Sequence, residues 1–588
     1  MTKFAKVLVD GVVSERSSRA VRTLRTAGLF GLLGILPVIG SLGGCTPEKP
    51  PESPKVEPTA SASANLSATA QAASQPDVYT PVGPFAEETL PALDTAPIAG
   101  LTLGAAPAGV EKAAASCSEY VKNKGAKVAC GDRAAALAAL DKALASVPDG
   151  KVDEAAVKSR DAALAALEEC TPLPAGLVRA LRADLAPVKC ADVIVEPVLA
   201  APPKDMRGDV HEALVGLALS ARFARAGGPA PVLAAPFTRA RVEAHIAGPL
   251  GKWMKEVATA VQGLSDAASK LHGYGGAVAA VGAGMADLTL VDTVRSAPIP
   301  EEFQKDEERK NIYYASLDEK LEPRKARGRD AALIGLKRFS EVGALHDERV
   351  REARRLLSKL YGGRRMDALD RLMIQPAKPS AAATVEDRLA ERLPTFYAGI
   401  LLDSVVLTQP STLSILASRG LSVPHRKALR DAAPTAQLAP IAARAFLDLG
   451  RTYFRASDFE SAAKMMALVP KSERTAELEL LAALSIALRG GPKDAVEMMS
   501  KSLMGMSSMG QRQALEALST KSGFEAGAAA FNAAYIMEIT APERADGVFF
   551  KGIARRYETA ANLLPEGAAK TEAAERAKAA AAIAGEVK

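Results

Sequence analysis

Residues 443–470 read ARAFLDLGRTYFRASDFESAAKMMALVP. Apolar and small residues recur at Phe446, Leu449, Gly450 and Tyr453, then at Phe459 and Ala462, before Pro470 ends the run. Spacing of three and four places such residues on one helix face. The stretch predicts two helices folded against each other across a short turn. The rest of the chain leans the same way. Only 4% of residues are aromatic, with a single Trp, so the apolar 48% is largely Ala, Leu and Val. Ala and Leu favour helix, whereas a β-sandwich or barrel draws on aromatic and β-branched residues. The expected fold class is all-α.

The positions just named resemble the signature of the tetratricopeptide repeat (TPR). In that motif Leu449 and Gly450 would let the first helix nest on the second. Tyr453 would fill the space between them, and Ala462 would permit a close crossing, with Phe446 and Phe459 packing beside it. Met466 stands where Phe is more usual, and Pro470 comes early. A weaker unit follows at 482–499, AALSIALRGGPKDAVEMM, and its Ala495 lies 33 residues after Ala462. A third fragment, LLSKLYGGRRMDALDRLM at 356–373, has a similar helix–turn–helix shape. The resemblance implies helical hairpins stacked as an α-solenoid. Unrelated hairpins with accidental spacing are the alternative.

Four cysteines, Cys117, Cys130, Cys170 and Cys190, cluster in one 74-residue stretch. An even number in an exported chain points to two disulfides. No pair has CxxC spacing, which argues against thioredoxin chemistry and a zinc knuckle, though four separate thiolates could still hold zinc. Asp132 can cap a helix carrying Leu137, Leu140, Leu144 and Val147. Pro148-Asp149-Gly150 then signals a turn. A second helix follows to Cys170, and Leu177, Leu181 and Leu185 begin a third. Antiparallel packing favours the nested pairing Cys130–Cys170 with Cys117–Cys190. The sequential pairing Cys117–Cys130 with Cys170–Cys190 stays open.

Further on, Trp253, Val257, Val261, Leu264, Ala268 and Leu271 form one helical stripe, expected to be core. In HGYGGAVAAVGAGMADL, residues 272–288, the third Gly of a dinucleotide fingerprint falls on Val278. No clear strand precedes it, as such a site requires. Gly276, Ala280 and Gly284 instead read as small residues that let two helices approach closely. Residues 301–373 read as helix with mixed charge, a solvated face.

The amino terminus carries an address. Arg16, Arg19, Arg22 and Arg25 precede the apolar run AGLFGLLGILPVI, residues 27–39. That run is shorter than the ~20 residues a bilayer span needs and fits the h-region of a secretory signal. The following Leu42-Gly43-Gly44-Cys45 resembles a bacterial lipobox. The resemblance implies acylation of Cys45, anchoring in the lipid bilayer, and, with Thr46 next, passage to the outer membrane facing the periplasm. An uncleaved anchor and a cleaved signal without lipid are the alternatives. Beyond Cys45, Pro-, Ala- and Ser-rich sequence runs to Pro107. Such composition buries too little apolar surface to fold, so a disordered tether reaching ~40 Å is expected.

At ~150 residues per domain, 588 residues suggest two to four globular units. The boundaries expected are 1–44 for the signal peptide, 45–107 for the tether and 108–300 for a helical domain with two disulfides. Helical hairpins at 301–375 and a TPR-like repeat domain at 376–588 complete the chain. The net charge of +6 is concentrated in residues 1–44, and without them 68 basic residues face 66 acidic ones. A near-neutral body argues against nucleic-acid binding. GxSxG, HExxH and P-loop motifs are absent from the sequence, and His211, His245, His272, His346 and His425 are scattered. No enzyme and no cofactor are expected.

One local oddity is VEMMSKSLMGMSSMG, residues 496–510, with Met498, Met499, Met504, Met506 and Met509. Thioethers suit Cu(I), and the MGMSSM part resembles Met motifs of periplasmic copper proteins, with Met504, Met506 and Met509 as ligands. Packing in a core or groove outweighs that reading, since Met is an adaptable filler. The function expected is a non-catalytic, membrane-anchored scaffold or adaptor that binds a protein or peptide partner in the cell envelope. The alternative is a metal- or solute-binding lipoprotein.

Overall fold

The computed structural model describes residues 98–587 apart from 123–127, 129, 146–152, 363, 403–408, 432–434, 502–508 and 543. The described residues are mostly helical, with no strand among them and one isolated antiparallel bridge, Val110 to Ala226. The signal stretch, Cys45 and the tether up to residue 97 lie outside the described residues.

The amino-terminal part begins with α1 (Cys117–Lys122), α2 (Arg133–Leu144), α3 (Glu154–Ala165) and α4 (Leu177–Leu185). Carboxylates start two of these helices, because the first N–H groups of a helix lack internal partners. Asp132 accepts from the Ala135 N–H at 2.9 Å and Asp153 from the Ala156 N–H at 2.6 Å. Arg182 of α4 is 2% exposed and ties three helices together. It makes two 2.8 Å bonds to Asp161 of α3 and donates to the Tyr120 carbonyl of α1 at 2.7 Å. Two cross-links fix the same cluster. Cys117 is joined to Cys190 and Cys130 to Cys170, with Cα atoms 5.2 and 5.6 Å apart. This is the nested pairing.

Next come α5 (Ala191–Ala200) and α6 (Gly208–Phe223). Every residue of α6 is buried. Residues 98–111 lie across it as a strap. The Ile98 N–H donates to His211 Nδ1 at 3.1 Å, Arg222 donates to the Gly104 carbonyl at 3.0 Å, and Arg225 to the Glu111 carbonyl at 2.8 Å. Leu101 and Leu103 pack on the core beneath. Residues 98–107, read from composition as the end of the tether, are therefore fixed to the body. Their few apolar side chains and their backbone carbonyls do this, which an average over a Pro-rich stretch conceals.

After α7 (Arg239–His245) and α8 (Gly251–Ser269) comes the central helix, α9 (Gly273–Ser296). The stripe Trp253 to Leu271 on and after α8 is buried throughout. α9 is long and apolar enough to cross a membrane by length and composition, but much of it is buried inside the protein. Its small residues serve two neighbours. A Cβ at Gly275 would overlap the Glu212 carbonyl of α6, and one at Gly284 would lie 2.6 Å from the Ala332 nitrogen. Ala332 belongs to α11 (Glu307–Val342), which follows the short α10 (Glu301–Gln304). Asp287, 1% exposed, holds the α9–α11 contact through Arg324 at 2.8 Å and Arg327 at 2.6 Å.

α12 (Glu348–Leu360) is followed by a turn of 3₁₀ helix at Ala368–Arg371 and then by non-helical chain, extended at Leu372. The fragment at 356–373 is thus a helix and a turn rather than two helices, which corrects part of the hairpins expected at 301–375. Tertiary bonds hold it open. Arg354 donates twice to the Met366 carbonyl, at 2.8 and 3.1 Å, and Pro376 disfavours helix in the residue before it.

α13 (Val385–Arg392), α14 (Thr395–Leu401), α15 (Pro410–Arg419) and α16 (Val423–Asp431) lead into the carboxy-terminal series. This comprises α17 (Ala439–Tyr453), α18 (Ala456–Ala467), α19 (Ala476–Leu488), α20 (Ala495–Lys501), α21 (Met509–Leu518), α22 (Phe524–Ile539), α23 (Gly547–Leu563) and α24 (Ala568–Glu586). Contacts run mostly in chain order: α17 on α18, α18 on α19, α19 on α21, α21 on α22, α22 on α23 and α23 on α24, while α20 packs on α11. One hydrophobic core extends from Cys117 to Ala580. It is continuous across the boundaries expected at 300 and 375.

Candidate functional site

Where the structure places the residues singled out in the sequence differs by group. Phe446, Leu449, Tyr453, Phe459 and Ala462 are all buried at the α17–α18 crossing, and Gly450 faces the Phe459 ring there. They form a packing core, and Tyr453 donates its hydroxyl proton to the Ala344 carbonyl. Met498 and Met499 are buried in the main core. Met504 and Met506 lie outside the described residues, as does the Met509 side chain. No group of three or more His, Cys, Asp or Glu is arranged to hold a metal ion among the described residues. Cys45 also lies outside them.

A cavity of about 500 Å³ opens where α4, α9, α12 and α14 converge. Ala186, Val188, Leu217, Met285, Pro394 and Phe396 supply most of its apolar wall. Its polar side centres on Arg349, near the start of α12. Asp347 caps that helix, accepting from the Arg349 N–H at 2.8 Å. The Arg349 guanidinium donates to Asp184 at 2.7 Å, to Asp347 at 2.8 Å and to the Tyr274 hydroxyl at 2.8 Å. Tyr274 in turn donates to Asp184 at 2.5 Å. Its ring stacks on Phe396 with centroids 4.5 Å apart and meets Tyr397 edge-on at 6.0 Å.

These groups fix one another's charge. Burial opposes the Arg349 charge, but Asp184 and Asp347 outweigh it and hold the guanidinium protonated well above its usual range. Burial likewise opposes ionisation of Asp347, and Arg349 overcomes it and keeps that carboxyl below its usual range. Burial pushes the Tyr274 phenol well up, with Arg349 opposing and Asp184 adding to the rise. The cluster is a locked hydrogen-bond network beside an apolar space. Pockets of this kind bind through apolar contact and are oriented by a few polar groups.

A second feature lies on the carboxy-terminal series. Asn532, in the middle of α22 and fully buried, grips the backbone of Met373 from both sides. Its Oδ1 accepts from the Met373 N–H at 2.6 Å, and its Nδ2 donates to the Met373 carbonyl at 2.8 Å. Tyr535 donates to the Ala368 carbonyl at 2.7 Å, Arg451 to the Leu369 carbonyl at 3.2 Å, and Gln375 to Glu525 at 3.0 Å. Side chains of α17 and α22 thus hold the 3₁₀ turn and the chain after it, largely by their backbone.

The chain matches no family model, no curated protein and no solved structure. The functional reading therefore rests on these two features and on the sequence. Neither feature was read from the sequence. Asp184, Tyr274, Arg349 and Phe396 lie on four separate elements with ordinary local patterns. Their one available signal was scarcity, because Tyr274 and the Phe396-Tyr397 pair stand out in a chain with 4% aromatic residues.

Proposed function

We propose that this protein is a non-catalytic scaffold of the bacterial cell envelope, anchored in the outer membrane through acylated Cys45. Its TPR-like helical array binds a protein or peptide partner in the periplasm. The observation that carries this is that the packed array leaves Leu468, Val496 and Val548 exposed, apolar positions open to a partner. The serial packing of α17 to α24 and the Gly450–Phe459 crossing support the TPR-like reading. The lipobox at 42–45 supports the anchor.

Photo-crosslinking in the native envelope tests this. A photoreactive side chain at Leu468, Val496 or Val548, exposed apolar positions on the array, should yield discrete adducts with one or a few envelope proteins. Adducts with lipid alone, or none at all three positions, would overturn the proposal.

A further inference from the structure

We infer that the cavity beside Arg349 is a binding site for an uncharged apolar group carrying a carbonyl, the chemistry of an apolar peptide side chain beside its own backbone amide. This rests on the reading of the chain as a peptide-binding scaffold and supplies the pocket that such a partner would fill.

Three observations carry it. The first is size and lining. About 500 Å³ lies within the ~300–1,000 Å³ typical of ligand pockets, and half of the lining residues are Ala, Val, Leu, Met, Pro or Phe. The second is charge. Asp184 and Asp347 are balanced by Arg349 and Arg419, all four on the cavity wall. Glu348 pairs with Arg351, and Glu352 with Arg355 at 2.8 Å. An anion would face two carboxylates beside Arg349, and a cation would find every lining carboxylate already engaged. Burying an unpaired charge there is costly, so a neutral occupant is favoured. The third is the polar contact left over. Arg349 uses Nε and Nη2 on Asp347, Asp184 and Tyr274. Its side chain keeps 22% of its surface exposed, and its Nη1 bonds to none of the described residues. Arg349 lines the cavity, and an N–H edge that no described residue engages suits a neutral acceptor, which a peptide carbonyl provides.

The test is saturation-transfer NMR on the full chain with N-acetyl-leucyl-phenylalanine amide as probe. The same dipeptide with a free carboxylate, and N-acetyl-lysine amide, serve as charged comparisons. The neutral dipeptide should receive saturation at its methyl and phenyl protons, above either charged compound. Val188 is 45% exposed and lines the cavity, so Val188→Trp should fill the space, abolish the transfer and leave the melting temperature unchanged. Ala186→Leu provides a second, smaller plug. Transfer that is absent, that survives both plugs, or that is strongest for a charged compound overturns the inference. Discrete protein adducts at Leu468 without dipeptide transfer would leave the scaffold reading standing. Transfer without any protein adduct would count against the scaffold reading and keep the pocket.

Discussion

Gly450 faces the Phe459 ring so closely that a Cβ at 450 would lie 2.6 Å from Cε1. The first helix of the pair α17–α18 thus rests on the second through a bare backbone. Phe459 is fully buried and has no room to retreat. Overpacking a tight core costs ~1–3 kcal/mol. Gly450→Ala is expected to lower stability by about that amount, and Ala462→Leu to do the same at the next contact. The check is a double-mutant cycle by urea unfolding. Phe459→Leu should recover part of the Gly450→Ala loss, and strictly additive losses would mean the two residues do not meet.

The cross-links make a second prediction. Cys117–Cys190 closes a loop of 73 residues and Cys130–Cys170 one of 40. Disulfides closing loops of this length stabilise by ~2–4 kcal/mol, chiefly by restricting the unfolded chain. Non-reducing peptide mapping should return these two cross-linked peptides, and reduction should lower the melting temperature. A Cys117–Cys130 peptide would contradict the arrangement.

Asn532 offers a third. Replacing it with Leu removes an acceptor and a donor at once, leaving the Met373 N–H and carbonyl without partners. An unsatisfied buried polar group costs ~1–3 kcal/mol. Asn532→Leu is therefore expected to loosen residues 372–376 and to speed amide exchange at Met373 by orders of magnitude. Asn532→Asp should recover the acceptor half alone. Unchanged exchange at Met373 in the Leu variant would mean that the clamp is not what holds the segment.

Local pattern was legible in the sequence, and long-range placement was not. The helical class, the buried stripe from Trp253 to Leu271 and the Asp132 cap all follow from spacing within about 20 residues. The small-residue run on α9 was legible only in part. Gly284 and Gly276 do meet α11 closely, at the Ala332 backbone and the Arg338 side chain, but the closest approach, to the backbone of α6, is made by Gly275, which was not singled out. Which side of a Gly-rich helix approaches which partner depends on the whole packing. The path of 364–376, with no α-helix, was hidden for the same reason, since Arg354 holds Met366 from 12 residues away and Asn532 holds Met373 from 159. The cavity draws on Asp184, Tyr274, Arg349 and Phe396, whose distance in sequence leaves no local trace.

The anchor gives a fourth prediction, motivated by Leu42-Gly43-Gly44-Cys45. Each buried methylene of an acyl chain contributes ~0.8 kcal/mol, so two or three chains hold a protein firmly to a membrane. Cys45→Ser is expected to abolish labelling by a clickable fatty acid and to move the protein into the soluble periplasmic fraction. A variant still bound to membrane after a carbonate wash would show that something other than Cys45 anchors it.

The strap over α6 gives the last prediction, through His211. The Ile98 N–H points at His211 Nδ1 from 3.1 Å, so this nitrogen must carry a lone pair and the imidazole must be neutral. His211 is 2% exposed, and burial lowers its pKa from the ordinary 6.5. Between that value and the lowered one, the unfolded chain holds a proton that the folded chain does not. Stability therefore rises with pH across this window. The contribution is complete above about 6.5 and is lost as the pH falls through the folded value, each tenfold change in proton affinity being worth about 1.4 kcal/mol. Asp347, Asp367 and Asp387 have pKa values held below their ordinary 3.8, so their losses come at lower pH, whereas Glu341, whose burial raises its carboxyl above the ordinary 4.5, opposes this limb, and the comparison with a His211 variant isolates the histidine. Melting temperature should fall as the pH drops below 6.5 in the native chain, with faster exchange at the Ile98 amide. His211→Leu removes the titrating group and the acceptor together. It should flatten that limb, leave the steeper loss below pH 4 in place, and free the Ile98 amide at every pH. An unchanged limb in the variant would place the acid sensitivity elsewhere and remove His211 as the latch of the strap.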